Sequence, residues 1–222
     1  MEKNNVTSSH RRVFREEIRK AIKEAIFTGQ LQPGSRIIET FWAKELGVSQ
    51  APVREAIRDL EAQGLIETIP FKGSRVRLLT EKDIRENYSV RICLESKSLH
   101  DAIAMLDDHE LSELGSKLED ILNKMNAYAN DGNLQEFTNE DTVFHRTIIE
   151  ATGNQVLLRL WEQCNMKVWT RYTTLTDKES LKQLQLSHRK IYSALCARDK
   201  KEATETLENH LTELMERFIS TR

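Results

Sequence analysis

The chain has 222 residues, a formal net charge of −2 at pH 7, and 39% hydrophobic against 31% charged residues, a composition that suits one large or two modest domains with real cores. No run of about 18 apolar residues is present to span a membrane, and the opening segment is too rich in Lys, Arg and Glu for a signal peptide, so a cytoplasmic protein is expected. Cys93, Cys164 and Cys196 are odd in number and form no C-x-x-C pair, which points away from a disulfide framework or a thiolate zinc site and toward small buried hydrophobes.

The modest net charge hides a division. Residues 1–79 carry 14 Lys and Arg against 10 Asp and Glu, and residues 80–222 carry 19 against 25. All three prolines and five of the eight glycines lie before residue 74. A basic, heavily punctuated segment over 1–79 is expected to meet a polyanion, and an acidic segment over 80–222 to form a second domain. In chain order the first part predicts a helix over about 11–28, with Ile18, Ala21, Ile22, Ala25 and Ile26 on one face, a turn at "LQPGSR", and a short helix over about 40–46. A helix from residue 50 follows, then two short strands joined by a tight turn at Lys72-Gly73. Three small helices and a hairpin are the elements of a winged helix-turn-helix.

The helix of "GVSQAPVREAIRDLEAQGLI" (47–66) is started by Ser49 and Pro52 and stopped by Gly64. Val53, Ala56, Ile57 and Leu60 form its apolar side; Gln50, Arg54 and Arg58, spaced four apart, form a second stripe that a core does not need. Such a stripe on a groove-sized helix, with Ser49 and Gln50 at the end where backbone N–H groups meet phosphate, suits the major groove of double-stranded DNA. Arg36 and the wing residues Lys72, Gly73 and Arg75 would add phosphate or minor-groove contacts. The competing role for Arg54 is an ion pair with Glu55 or Asp59. Trp42 is assigned to the core.

From Thr80 on, the pattern is helical to the end. Breaks at "LDDHE", "NDGN", "TGN", "TDKES" and "ARDK" predict an all-α antiparallel bundle of six or seven helices. Four polar residues sit where that period calls for apolar ones: Asp141 and His145 beside Phe137 and Ile148, His188 in the stripe Leu181, Leu184, Ile191, Leu195, and His210 in the stripe Ala203, Leu207, Leu214. Burying this much polarity is costly unless the groups share a partner, and one divalent metal ion is the natural one, with Zn²⁺, Ni²⁺, Fe²⁺ and Mn²⁺ all suited to imidazole and carboxylate.

"PVREAIRDLEAQGLI", with "LQPGSRIIE" before it and "FKGSRV" after it, closely resembles the GntR family of bacterial transcription regulators, and the helical remainder resembles the FCD effector domain of its FadR-like branch. The resemblance covers about residues 12–220. It implies a homodimeric, ligand-responsive DNA-binding regulator rather than an enzyme, one that binds a palindromic operator and whose DNA affinity is set by a small organic acid at a metal-containing pocket; repression is the expected mode, although operator position, which the chain does not record, decides between repressor and activator. Asp141, His145, His188 and His210 match the FCD metal motif residue by residue. Arg91 matches an Arg that points into that pocket, where it would hold a carboxylate; an i,i+4 ion pair with Glu95 is the equal alternative. Asn165 and Trp169 are further pocket candidates. The chain departs from the family in carrying Gln50-Ala51 where an Arg-Thr pair is usual, Thr40 for an Arg, and Trp42 for a Leu, so the operator sequence does not carry over. Two other functions fit the same residues: a regulator with a purely structural metal, and a metal-dependent hydrolase, the latter disfavoured by the lack of H-E-x-x-H and of a placed general base.

Overall fold

A computed structural model describes residues 3–164 and 178–220. Among these the elements are α1 (Lys3–Phe27), β1 (Arg36–Ile37), α2 (Glu39–Glu45), α3 (Gln50–Ala62), β2 (Ile66–Ile69), β3 (Gly73–Val76), α4 (Glu81–Met105), α5 (Asp108–Asp131), α6 (Leu134–Ala151), α7 (Gln155–Gln163), α8 (Lys178–Cys196) and α9 (Lys200–Ser220). The chain divides into two units, Met1–Leu79 and Thr80–Arg222. It is mainly helical, and no helix among the described residues is long and apolar enough to cross a membrane.

In the first unit, Ile18, Ile22, Ala25 and Ile26 of α1 and Val53, Ala56, Ile57 and Leu60 of α3 are buried, and the two helices pack on each other. α2 adds Trp42 and Ala43 to this core. The hairpin β2–β3 is antiparallel, and β1 pairs with the far side of β3 to give the order β1-β3-β2. The expected winged helix-turn-helix is present with two differences. α1 begins at Lys3 rather than near residue 11, because polar residues extend a helix without leaving an apolar period. The "LQPGSR" turn runs into a third strand of only two residues, too short for the period-two pattern that marks a strand.

The breaks in the second unit are explained by caps. Thr80 with Asp83, and Asp107 with Glu110, form capping boxes that open α4 and α5. Asn133 and Asn154 accept first-turn N–H groups of α6 and α7, and Gly132 ends α5 in the left-handed region at φ 71°, as a C-terminal glycine does. α5 lies between α6 and α8, while α4 packs on α9 and α6. Ser187 meets His210 and Gln183 meets Arg217, so α8 and α9 run antiparallel.

The cysteines correct an expectation. Cys93 and Cys196 are exposed and Cys164 is half-buried, because Cys93 lies off the α4 stripe that carries Tyr88, Arg91 and Glu95, and Cys196 ends α8.

Arg198 fastens the loop between α8 and α9 to the end of α4. It donates from Nη1 to the Ile103 carbonyl (2.8 Å) and from Nη2 to the Leu106 carbonyl (2.9 Å), giving a cation to carbonyls that the helix leaves unpaired. Arg198→Ala is expected to lower stability by about 1–3 kcal/mol, read as an earlier denaturant midpoint with unchanged native helicity; an unchanged midpoint would show that water replaces the guanidinium at no cost.

Candidate metal centre and nucleic-acid interface

α6 supplies Asp141 and His145, one turn apart, α8 supplies His188 and α9 supplies His210. All four are at most 2% exposed, and one ligand atom from each lies within 4.8 Å of the others. Their hydrogen bonds fix the imidazole tautomers. His188 Nδ1 is 2.7 Å from the Leu184 carbonyl, which only accepts, so Nδ1 carries the proton. His145 Nδ1 is 2.7 Å from Glu95 Oε2, a carboxylate oxygen that only accepts, so its proton sits on that side. Ser187 donates its one hydroxyl proton to the Leu184 carbonyl (2.7 Å), so toward His210 Nδ1, also at 2.7 Å, it accepts. In its neutral form each ring therefore turns an Nε2 lone pair toward the shared point.

Acceptors consequently face acceptors. His188 Nε2 lies 3.0 Å from Asp141 Oδ1 and 3.2 Å from His145 Nε2, while Asp141 Oδ2 and His210 Nε2 are buried without a hydrogen-bond partner. Such a set needs a cation among its lone pairs, and its residues fit a divalent metal: three neutral imidazoles and one carboxylate, with each imidazole oriented through its other nitrogen. Burial holds the His145 and His210 imidazoles below their usual pKa, His210 far below it.

A second layer surrounds the tetrad. Glu95 Oε1 accepts from Arg91 Nε (2.7 Å) and from Trp161 Nε1 (2.8 Å). Burial works against this carboxylate too, yet Arg91, His145 and Trp161 hold it well below the usual range. Arg91 is 1% exposed; it forms the ion pair with Glu95 that the sequence allowed, and its Nη1 remains buried without an acceptor. Among the described residues the buried formal charges are Arg91, Glu95 and Asp141, a net of one negative charge. Asn87, one turn before Arg91, donates to the Cys164 carbonyl (3.2 Å) and leaves its Oδ1 buried and unpartnered. Asn165 and Trp169 lie outside the described residues. Sequence reading missed Asn87, Trp161 and Ser187 as parts of this site, and knew Glu95 only as a partner for Arg91. Its signal for Glu95 was a second charged residue on the buried stripe of α4.

In the first unit the residues expected to meet DNA are at the surface. Ser49, Gln50, Arg54, Arg58, Arg36, Lys72 and Gly73 are exposed and Arg75 is half-buried. Ser49 caps α3 without a side-chain bond, so the N–H groups of that first turn stay available to an anion. Arg54 Nε pairs with Glu39 Oε2 at 3.0 Å rather than with Glu55 or Asp59; Asp59 is taken by Arg15. Arg75 Nε is held by Glu67 Oε1 at 2.7 Å, and Arg36 donates to the Lys72 carbonyl at 2.9 Å. Trp42 is 6% exposed and belongs to the core.

Comparison with known proteins matches residues 14–76 to the gntR family of bacterial regulatory proteins and residues 86–213 to the FCD domain. A probable D-xylose utilization operon transcriptional repressor of Paenarthrobacter nicotinovorans is 34% identical over 195 residues, covering 88% of this chain and 84% of that protein. The gluconate operon transcriptional repressor of Bacillus subtilis is 31% identical over 163 residues, covering 73% and 64%. Among solved structures, Escherichia coli McbR (YncC) superposes with a TM-score of 0.77 at 21% identity over 94% of this chain and 98% of that one. A regulator from Rhodococcus gives 0.78 at 20% identity over the same shares.

Glu95 is the shared acceptor of Arg91, His145 and Trp161, so Glu95→Ala strands a buried guanidinium. A loss of about 3–5 kcal/mol is expected, measured by denaturant unfolding of the full chain; a loss below about 1 kcal/mol would mean that Arg91 finds water or another acceptor.

Proposed function

The chain belongs to the GntR family of bacterial regulatory proteins and carries an FCD domain, and from that premise we propose that it is a homodimeric repressor whose affinity for a palindromic operator is controlled by a small carboxylate bound beside a metal in its second unit. The observation that carries the control mechanism is the convergence of three Nε2 lone pairs and the Asp141 carboxylate on one point. Asp141, His145, His188 and His210 would hold one divalent ion, which supplies positive charge for a ligand carboxylate. Imidazole and carboxylate donors leave Zn²⁺, Ni²⁺, Fe²⁺ and Mn²⁺ as candidates. Arg91 Nη1, buried and without an acceptor, is the natural second anchor for that carboxylate. Two relatives are named as operon repressors, which supports repression as the mode of action.

On DNA, α3 enters the major groove. Its Gln50, Arg54 and Arg58 reach base edges and phosphates, and Arg36, Lys72, Gly73 and Arg75 add backbone contacts. A dimer places two such helices on an inverted repeat. The Arg54–Glu39 pair is exposed and therefore weak enough to be exchanged for DNA.

Metal analysis of tag-free protein is expected to find close to one equivalent. Chelation should lower the melting temperature, and added Zn²⁺, Ni²⁺ or Mn²⁺ should restore it; under about a tenth of an equivalent, with no restoration, overturns the metal reading. Selection from random DNA should return an inverted repeat bound with a steep salt dependence. Arg54→Ala should abolish the preference for that site while leaving the melting temperature unchanged, and an Arg54→Ala protein that binds its selected site as before removes α3 from the reading.

A further inference from the structure

The β2–β3 hairpin is closed by a bond from the Lys72 N–H to the Ile69 carbonyl (3.0 Å), with Pro70 and Phe71 at its corners. Phe71 has φ 64°. Proline at the first corner, a left-handed φ at the second and the closing bond define a type II turn, whose second corner favours glycine. A bulky aromatic residue is strained there. Its ring gains nothing in return: Phe71 is fully exposed, and none of the described residues covers it. Glycine at 71 would remove both the strain and the exposed apolar surface. The free protein thus contains no reason for the phenyl ring.

The surroundings indicate what covers it. Lys72, the next residue, is exposed, and Arg36 reaches from β1 to the Lys72 carbonyl (2.9 Å). Arg36 stands opposite Arg75 in the sheet register. The tip is thus an apolar ring among cations, on a basic unit that binds DNA. The minor groove offers the complementary surface: a negative potential, apolar sugar walls, and base steps that an aromatic side chain can part.

We infer that Phe71 is a wedge. It enters the minor groove next to the bases read by α3, partly unstacks one base step and bends the duplex toward the major groove. Pyrimidine–purine steps deform most easily, so the wedge selects for one of them at a position where no side chain reads a base edge. The turn holds the ring forward and Arg36 holds the turn, which limits the ordering lost on binding.

The test uses the full-length protein and a site selected from random DNA, labelled at both ends for energy transfer and carrying 2-aminopurine at each candidate step flanking the α3 contact. Wild type is expected to bend the duplex by at least about 20° and to raise 2-aminopurine fluorescence at one step. Phe71→Gly should abolish both signals and weaken binding roughly tenfold, with a melting temperature equal to or above that of wild type, so misfolding does not account for the loss. Phe71→Leu, which keeps an apolar wedge, should retain most of the bend. A wild-type complex that leaves the duplex straight overturns the inference. So does a Phe71→Gly complex with the wild-type bend and fluorescence, including the case in which that variant instead changes oligomeric state, where the ring's partner is protein.

Discussion

Two carboxylates, one guanidinium and three imidazoles share the interior of the second unit, and the whole bundle is arranged around satisfying them together. Moving one carboxylate out of water costs several kcal/mol even after relaxation, and here Glu95 and Asp141 are both buried. Glu95 meets that cost through Arg91 on its own helix, His145 on α6 and Trp161 on α7. Asp141 faces the His188 lone pair on α8 at 3.0 Å and keeps its Oδ2 unpartnered, so its cost falls to a cation, while Ser187 joins α8 to His210 on α9. α4, α6 and α7 are thereby tied to one another, and α8 to α9, by bonds that apolar packing alone would leave free to slide. The same network leaves a net negative charge and several lone pairs without donors, which is why the set fits a cation and why charge arriving beside it would be felt by all five helices.

The first unit uses charge in the opposite way. Its cations are at the surface, and of those expected to meet DNA, Arg54 and Arg75 are held by shallow ion pairs, to Glu39 and Glu67. Exposed pairs of this kind are worth at most about 1 kcal/mol. They restrict the rotamers of long side chains without binding them so tightly that a phosphate or a guanine edge cannot displace the carboxylate. The apolar work is done on the other side of α3, where Val53, Ala56 and Leu60 are fully buried. One helix thus separates a face that stabilises the fold from a face left for a partner.

How much of this was legible in the sequence depended on periodicity. His188 and His210 stood out because each interrupts an apolar stripe, and Asp141 and His145 because they share a face with Phe137; a helical period alone brings each inward. What the period does not encode is contact between helices. The period singles out neither Ser187 nor Trp161, and their roles follow from where α8 meets α9 and where α7 meets α4. Cys93 shows the converse error: residue type favoured burial, while its angle on α4 put it in solvent. β1 was missed because two residues cannot alternate. Arg54 lies on the exposed face, as its spacing suggests, but its partner Glu39 lies on another helix, beyond the i,i+4 neighbours that a sequence offers.

The link between the units constrains any route from ligand to DNA. Only residues 77–80 separate β3 from α4, and the last of them, Thr80, is already the N-cap of α4 with its side chain and backbone N–H engaged by Asp83. Under the proposed function, this connection is the covalent route from α4 to the chain leaving the wing. Arg91 and Glu95 lie on that same helix. A carboxylate taken by Arg91 Nη1 would compete for the guanidinium that now compensates Glu95, and Glu95 would then bear more heavily on His145 and Trp161. The energy needed is small, since allosteric coupling is typically about 1–3 kcal/mol, comparable to one charge-assisted hydrogen bond exchanged in a buried network. Shifting a single bond around Glu95 is therefore enough in magnitude to favour one arrangement of α4 over another, provided the ligand binds the two arrangements with different affinity.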